Sequence, residues 1–148
     1  MTPPLIRRIR FRIALWCEAK LLPFRVSPSR PLSWIESFAN RSAGVRYPDL
    51  PPDYILNHVL KVTRRPYVMR DRRCLRQGLL AYRFLRAAGY EIELHFGIDQ
   101  ADSRGQDLSA HCWIVHDGRV LLNPPPADMP VIFILRSDGR ELPVRNAA

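Results

Sequence analysis

The chain has 148 residues, of which 47% are hydrophobic, so it can bury a real core and is too apolar to be a disordered protein. Its net charge of +9 comes mainly from arginine, but no nucleic-acid recognition motif accompanies this charge. Three cysteines without a CxxC pair argue against a disulfide framework or a structural zinc site and indicate a reducing cytoplasm. We predict one domain over residues 1–148, with no metal and no cofactor.

The Arg-rich N-terminal segment is predicted to form an amphipathic helix over residues 5–22. Ile6, Ile9, Ile13 and Trp16 recur at helical spacing, so this stripe should pack on the domain or on a partner. Charged residues interrupt the apolar run too early for a signal peptide or a membrane span.

Prolines divide the rest of the N-terminal part, which we place at residues 1–65. Pro23 and the proline-containing stretch after it are predicted to end the first helix. Helical patterns then follow at residues 32–40 and 53–62.

The remaining residues, 66–148, contain the features expected of a catalytic core. Cys74 opens a helical pattern over residues 74–89, with Asp71 as the predicted N-terminal cap and Gly89 as the terminating residue. A thiol at a helix start faces backbone amides that have no helical partner, and such a setting lowers the pKa of a cysteine.

Strands are predicted after this helix, which makes the arrangement α+β with an antiparallel sheet. Two Asp-Gly pairs, at residues 117–118 and 138–139, predict hairpin turns. Residues 100–106 form a candidate rim loop of the site. The predicted strands are residues 91–98, 109–116, 119–123, 131–136 and 140–144.

Cys74, His111 and Asn123 occur in the order nucleophile, base and orienting amide. A cysteine thiolate attacks a carbonyl, and a histidine returns the proton to the leaving amine. An asparagine side-chain oxygen can accept the other ring N–H and hold the imidazole in one tautomer. The Cys74 amide would help to stabilise the oxyanion. These residue types predict a cysteine peptidase site.

Three further residues near this pattern need an interpretation. Asp117 is the competing candidate for orienting His111, but an Asp-Gly pair between apolar runs is better explained as a turn. Cys112 should point to the opposite face of its strand from His111. Cys17 and Cys112 are interpreted as packing residues, and replacing either should leave most activity.

Residues 72–90, 96–98 and 110–119 resemble the transglutaminase-like leader peptidases of lasso-peptide biosynthesis. The resemblance implies a transglutaminase-like, papain-like fold in which the nucleophile starts a helix packed on an antiparallel sheet. It also implies a stand-alone protease that acts with a separate leader-binding protein and an ATP-dependent lasso cyclase. The family often has Asp at the position of Asn123 and a small residue at the position of Cys112.

Two other functions fit the same residues. The Cys-His pair also supports transglutaminase-type acyl transfer, in which an amine replaces water, although no calcium loop is evident. A catalytically silent module that binds a peptide or nucleic acid is the other alternative.

Overall fold

A computed structural model describes residues 4–25, 35, 37–38, 44–64, 72–98, 110–136 and 141–143. Apart from residues 35, 37 and 38, the predicted helix at 32–40 lies outside these ranges, as does the loop at 100–106. Within them, helices precede strands, as predicted. The elements are α1 (Leu5–Arg25), α2 (Pro52–Thr63), α3 (Arg73–Ala87), β1 (Glu93–Ile98), β2 (Ala110–His116), β3 (Arg119–Leu122), β4 (Val131–Arg136) and β5 (Glu141–Pro143).

Helix α1 continues past Pro23 to Arg25, so the prediction that this proline ends the helix is wrong. Proline has no backbone N–H, and it therefore leaves the carbonyl of Ala19, four residues earlier, without its usual helical donor. The Arg76 guanidinium donates a hydrogen bond of 2.8 Å to this carbonyl oxygen. Arg76 is buried, and a side chain from α3 thus replaces the hydrogen bond that Pro23 removes.

Helix α1 packs on the domain through a different face from the stripe that was predicted to pack on the domain or on a partner. The stripe of Ile6, Ile9, Ile13 and Trp16 is 46% to 72% exposed. This exposed stripe and the buried face of α1 both have helical spacing, so periodicity alone does not decide which of the two meets the core. The buried face consists of Phe11, Leu15, Ala19 and Leu22.

Gly89 ends the central helix α3, as predicted, and does so through a left-handed backbone with φ of 94°. Its N–H donates to the carbonyl of Arg86 over 2.9 Å, and the N–H of Tyr90 donates to that of Leu85 over 3.1 Å. This pair of bonds is the Schellman motif, which satisfies carbonyls at the helix end and favours glycine at this position.

The five described strands form one antiparallel sheet in the order β3-β2-β1-β4-β5. Asp117 and Gly118 join β2 to β3, with φ of 48° and 73° respectively. Positive φ at both central residues is the type I′ hairpin turn, so this predicted turn is confirmed. The predicted turn at residues 138–139 lies outside the described residues.

Helix α3 is the central element of the packing. It contacts β1 and β2 on one side and α1 and α2 on the other. Its buried side chains join those of α1, α2 and the sheet in one hydrophobic cluster. Burial on both sides leaves α3 little freedom to move, so the residues at its start are held in a fixed position against β2.

Candidate active site

Cys74 is the second residue of α3 and lies where the start of this helix meets the start of β2. Its side chain is half-buried, and its sulfur is 4.0 Å from the carbonyl oxygen of Ala110. The N-cap position is occupied by Arg72 rather than by the predicted Asp71, and no side chain caps the helix there. Asp71 itself lies outside the described residues.

His111, the second residue of β2, is held by contacts on two sides. Its Nε2 is 3.1 Å from the backbone carbonyl oxygen of Asn123. Because a carbonyl oxygen only accepts hydrogen bonds, this contact puts a proton on Nε2. The ring also stacks on the Trp113 indole, with centroids 6.1 Å apart and planes inclined by 23°. Both contacts fix the orientation of the imidazole beside Cys74.

Asn123 follows β3 directly and joins the site through both its backbone and its side chain. Its Nδ2 donates to the carbonyl oxygen of Cys74 over 3.4 Å. The side-chain oxygen was the predicted partner of His111, whereas the structure has the backbone oxygen in that position. Asn123 has φ of 53°, a left-handed conformation that asparagine adopts more readily than most residues. The structure thus brings together Cys74, His111 and Asn123.

Asp117, the competing candidate for the orienting role, lies at the far end of β2. It is six residues from His111 along an extended strand, a distance of roughly 20 Å at about 3.3 Å per residue. Its side chain is 84% exposed and is 3.5 Å from Nε2 of His116. Asp117 therefore belongs to the hairpin turn and does not contact His111.

The surroundings of Cys74 favour a thiolate. A hydrogen bond from the Cys112 side chain is the largest influence, and together with the Cys112 backbone N–H and the nearby His111 it lowers the pKa of Cys74 to about 5. Burial of the thiol acts in the opposite direction but is outweighed. A cysteine with such a pKa is ionised at neutral pH and is therefore a ready nucleophile.

Cys112 is the site residue whose role the sequence analysis missed. It is buried, as predicted, but its thiol and its N–H both act on Cys74. Strand alternation predicts that Cys112 and His111 point to opposite faces, but it does not reveal that both contact the same helix start. Cys17 is exposed on α1, so its interpretation as a packing residue is wrong.

Other kinds of site are not evident in the described part of the chain. Among the described residues, no three His, Cys, Asp or Glu side chains are grouped as metal ligands would be. No helix in the same ranges combines the length and the apolar character needed to cross a membrane.

The family model described as the transglutaminase-like superfamily matches residues 21–131, which is well over half of the chain and includes all three proposed catalytic residues. The fold described above, with helices packed on an antiparallel sheet, agrees with a domain of this kind. Membership supports a cysteine peptidase or acyltransferase type of function. No curated protein and no solved structure matches the chain significantly.

Proposed function

The chain belongs to the transglutaminase-like superfamily, and on that premise we propose that it is a cysteine peptidase that removes the leader from a lasso-peptide precursor. One observation carries the proposal: Cys74, with a pKa of about 5, lies at a helix start beside a histidine that Asn123 and Trp113 orient. A low-pKa thiol next to an oriented imidazole is the arrangement that acyl transfer from a peptide requires.

The reaction follows from the positions of these groups. The Cys74 thiolate attacks the scissile carbonyl carbon, and the electron pair of the C=O bond moves to the oxygen. With Nε2 of His111 bonded to Asn123, Nδ1 is the nitrogen left to give a proton to the leaving amine. The oxyanion collapses, the C–N bond breaks to release the amine, and the leader remains bound to Cys74 as a thioester. Water then attacks the thioester and His111 takes a proton from it. The C–S bond breaks with its electron pair returning to the Cys74 sulfur, and the leader leaves with a free carboxylate. In our proposal the N–H of Cys74 stabilises the oxyanion.

The choice of a leader peptide as substrate is supported by the resemblance of residues 72–90 and 110–119 to leader peptidases of lasso-peptide biosynthesis. In this proposal the precursor is bound by a separate leader-binding protein, and an ATP-dependent cyclase uses the freed core. A partner that holds the leader raises the local concentration of the scissile bond, which gains roughly 10²–10⁴ in effective affinity without a new contact at Cys74.

A groove between α1 and α2 supports the need for such a partner. We call it the α1–α2 groove; its volume is about 710 Å³, and the exposed side chains of Ile9, Ile13 and Trp16 line it. Arg12 and Lys61 also line it, and none of the described residues that line it is acidic. An apolar groove with basic side chains suits a partner segment that has apolar anchors flanked by acidic residues. We assign this segment to the leader-binding protein.

We place the enzyme in the cytoplasm, where thiols stay reduced. Cys17, Cys74 and Cys112 are all free, and the mechanism requires Cys74 to remain so while Cys112 lies beside it. A reducing compartment protects this pair of thiols.

Acyl transfer to an amine is the second candidate, because the same thioester can react with either nucleophile. The products distinguish the two reactions. Incubating the precursor with the purified protein and its leader-binding partner should give a leader with a new C-terminal carboxylate and a core with a new N-terminus. Mass spectrometry that instead finds an amine added to a glutamine, with loss of ammonia, would favour acyl transfer. Unchanged precursor would favour the silent binding module.

A further inference from the structure

Gly78 makes space for a second sulfur beside the proposed nucleophile. It lies four residues after Cys74, so the two positions are neighbours on one face of α3. A Cβ added to Gly78 would be 2.9 Å from Sγ of Cys112 and 3.0 Å from Cδ1 of Leu94. The missing side chain thus lets the Cys112 sulfur reach the surface of α3 one turn from Cys74.

The S–H and the backbone N–H of Cys112, acting as hydrogen-bond donors, both lower the pKa of Cys74. It lies two residues after Ala110, whose carbonyl oxygen is 4.0 Å from the same sulfur. Both residues precede Ile114, which pairs with Leu122 near the end of β3. The start of β2, before this pairing, is therefore the part of the strand that lies next to the Cys74 sulfur.

We propose that Cys112 is a positioning residue for Cys74, whose S–H hydrogen bond holds the Cys74 sulfur as a thiolate and fixes it beside His111. The inference rests on the proposed role of Cys74 as the nucleophile, and it goes beyond the sequence interpretation of Cys112 as a dispensable packing residue. Only 1% of Cys112 is exposed, so its S–H has no water to donate to instead of Cys74.

The two thiols take different protonation states. Burial and the hydrogen bond to Cys74 raise the pKa of Cys112 well above its ordinary value, so Cys112 keeps its proton and remains a donor. The titratable groups of the described residues that act on Cys74 are Cys112 and His111, both from β2. Within α3 itself, the basic residue adjacent in sequence is Arg73.

The test is the pH dependence of Cys74 alkylation by iodoacetamide, followed by mass spectrometry of the Cys74 peptide. The wild type should titrate with a midpoint near pH 5. Cys112→Ser, which keeps an O–H donor of similar size, should keep a low midpoint. Cys112→Ala should raise the midpoint by about one unit or more, which is roughly a twofold slower alkylation at pH 6 and approaches about tenfold at pH 4. Exposed Cys17 is the matched control, and Cys17→Ala should titrate like the wild type.

If Cys112 only packs, the alkylation midpoint of Cys112→Ala would be the same as that of the wild type, which would overturn the inference. Cys112→Ser would then be the less stable of the two variants, because alanine is better tolerated than serine in an apolar niche. Gly78→Ala displaces the Cys112 sulfur without removing it, and it should also raise the midpoint even if Cys112→Ala fails to fold. Alkylation needs no precursor, so a failure to cleave leaders leaves this test intact. A wild-type Cys74 with an ordinary thiol midpoint would instead reject Cys74 as the activated nucleophile.

Discussion

Arg76 and Pro23 are coupled through one carbonyl oxygen, that of Ala19, which Pro23 leaves without a helical donor and which the Arg76 guanidinium binds at 2.8 Å. The contact joins α1 to the helix that begins with the proposed active site. It also explains why a guanidinium is present in this interior: Arg76 is only 7% exposed, and burial lowers its pKa.

We expect Arg76→Met to lower the free energy of unfolding by about 1–3 kcal/mol, because it leaves the buried carbonyl of Ala19 without a partner. In a Pro23→Ala background the restored N–H can donate to that carbonyl. Arg76→Met should then lower the free energy of unfolding by about 1 kcal/mol less than it does in the wild type. Denaturant unfolding of the wild type, both single variants and the double variant measures this coupling. Strict additivity of the two changes would show that Arg76 and Pro23 act independently.

The backbone contact between His111 and Asn123 predicts different effects for two substitutions at Asn123. Asn123→Gly keeps the carbonyl and tolerates positive φ, so precursor cleavage should stay close to that of the wild type. Asn123→Ala keeps the carbonyl but adds left-handed strain of about 1–2 kcal/mol, so it should be less stable and more affected. If both variants lose cleavage to the same large extent, the side chain rather than the backbone orients His111.

The sequence predicts the order of the elements because it depends on local signals. Gly89 and the turn at Asp117 each act within a few residues. The face of α1 that meets the core and the role of Cys112 depend on contacts between distant segments. Pro23 shows the same limit, because Arg76, which offsets the missing hydrogen bond, is 53 residues away in the chain by the difference of their numbers.

Asp117 has a structural role, and its substitution should separate stability from activity. Asp117→Ala places alanine at φ of 48°, which should cost about 1 kcal/mol of stability while cleavage at a permissive temperature is unchanged. Asp117→Asn, the matched control, suits a type I′ turn and should be near neutral. Melting temperature and cleavage rate are measured on the same samples, and a loss of cleavage in the still-folded Asp117→Ala would point to a catalytic role.

The α1–α2 groove should matter only when the partner is present. Trp16→Ala removes an exposed aromatic anchor, so partner-stimulated cleavage should fall by about tenfold or more while alkylation of Cys74 is unchanged. Val120→Ser changes an exposed apolar side chain on β3, which is 45% exposed, and serves as the control. Because Arg12 and Lys61 line the groove, moderate salt should screen their attraction for the partner and weaken the stimulation. Equal stimulation of the wild type and Trp16→Ala would place the partner elsewhere.

The most direct measurement is leader release from the precursor, followed by mass spectrometry in the presence of the leader-binding partner, for the wild type, Cys74→Ala and Cys17→Ala. We predict that the wild type and Cys17→Ala release the leader at similar rates. Cys74→Ala should lose at least about 10³-fold in rate, and His111→Ala should lose a comparable amount, because a nucleophile and its base act as a unit. Leader release by Cys74→Ala at a rate near that of the wild type would contradict the assignment of Cys74 as the nucleophile.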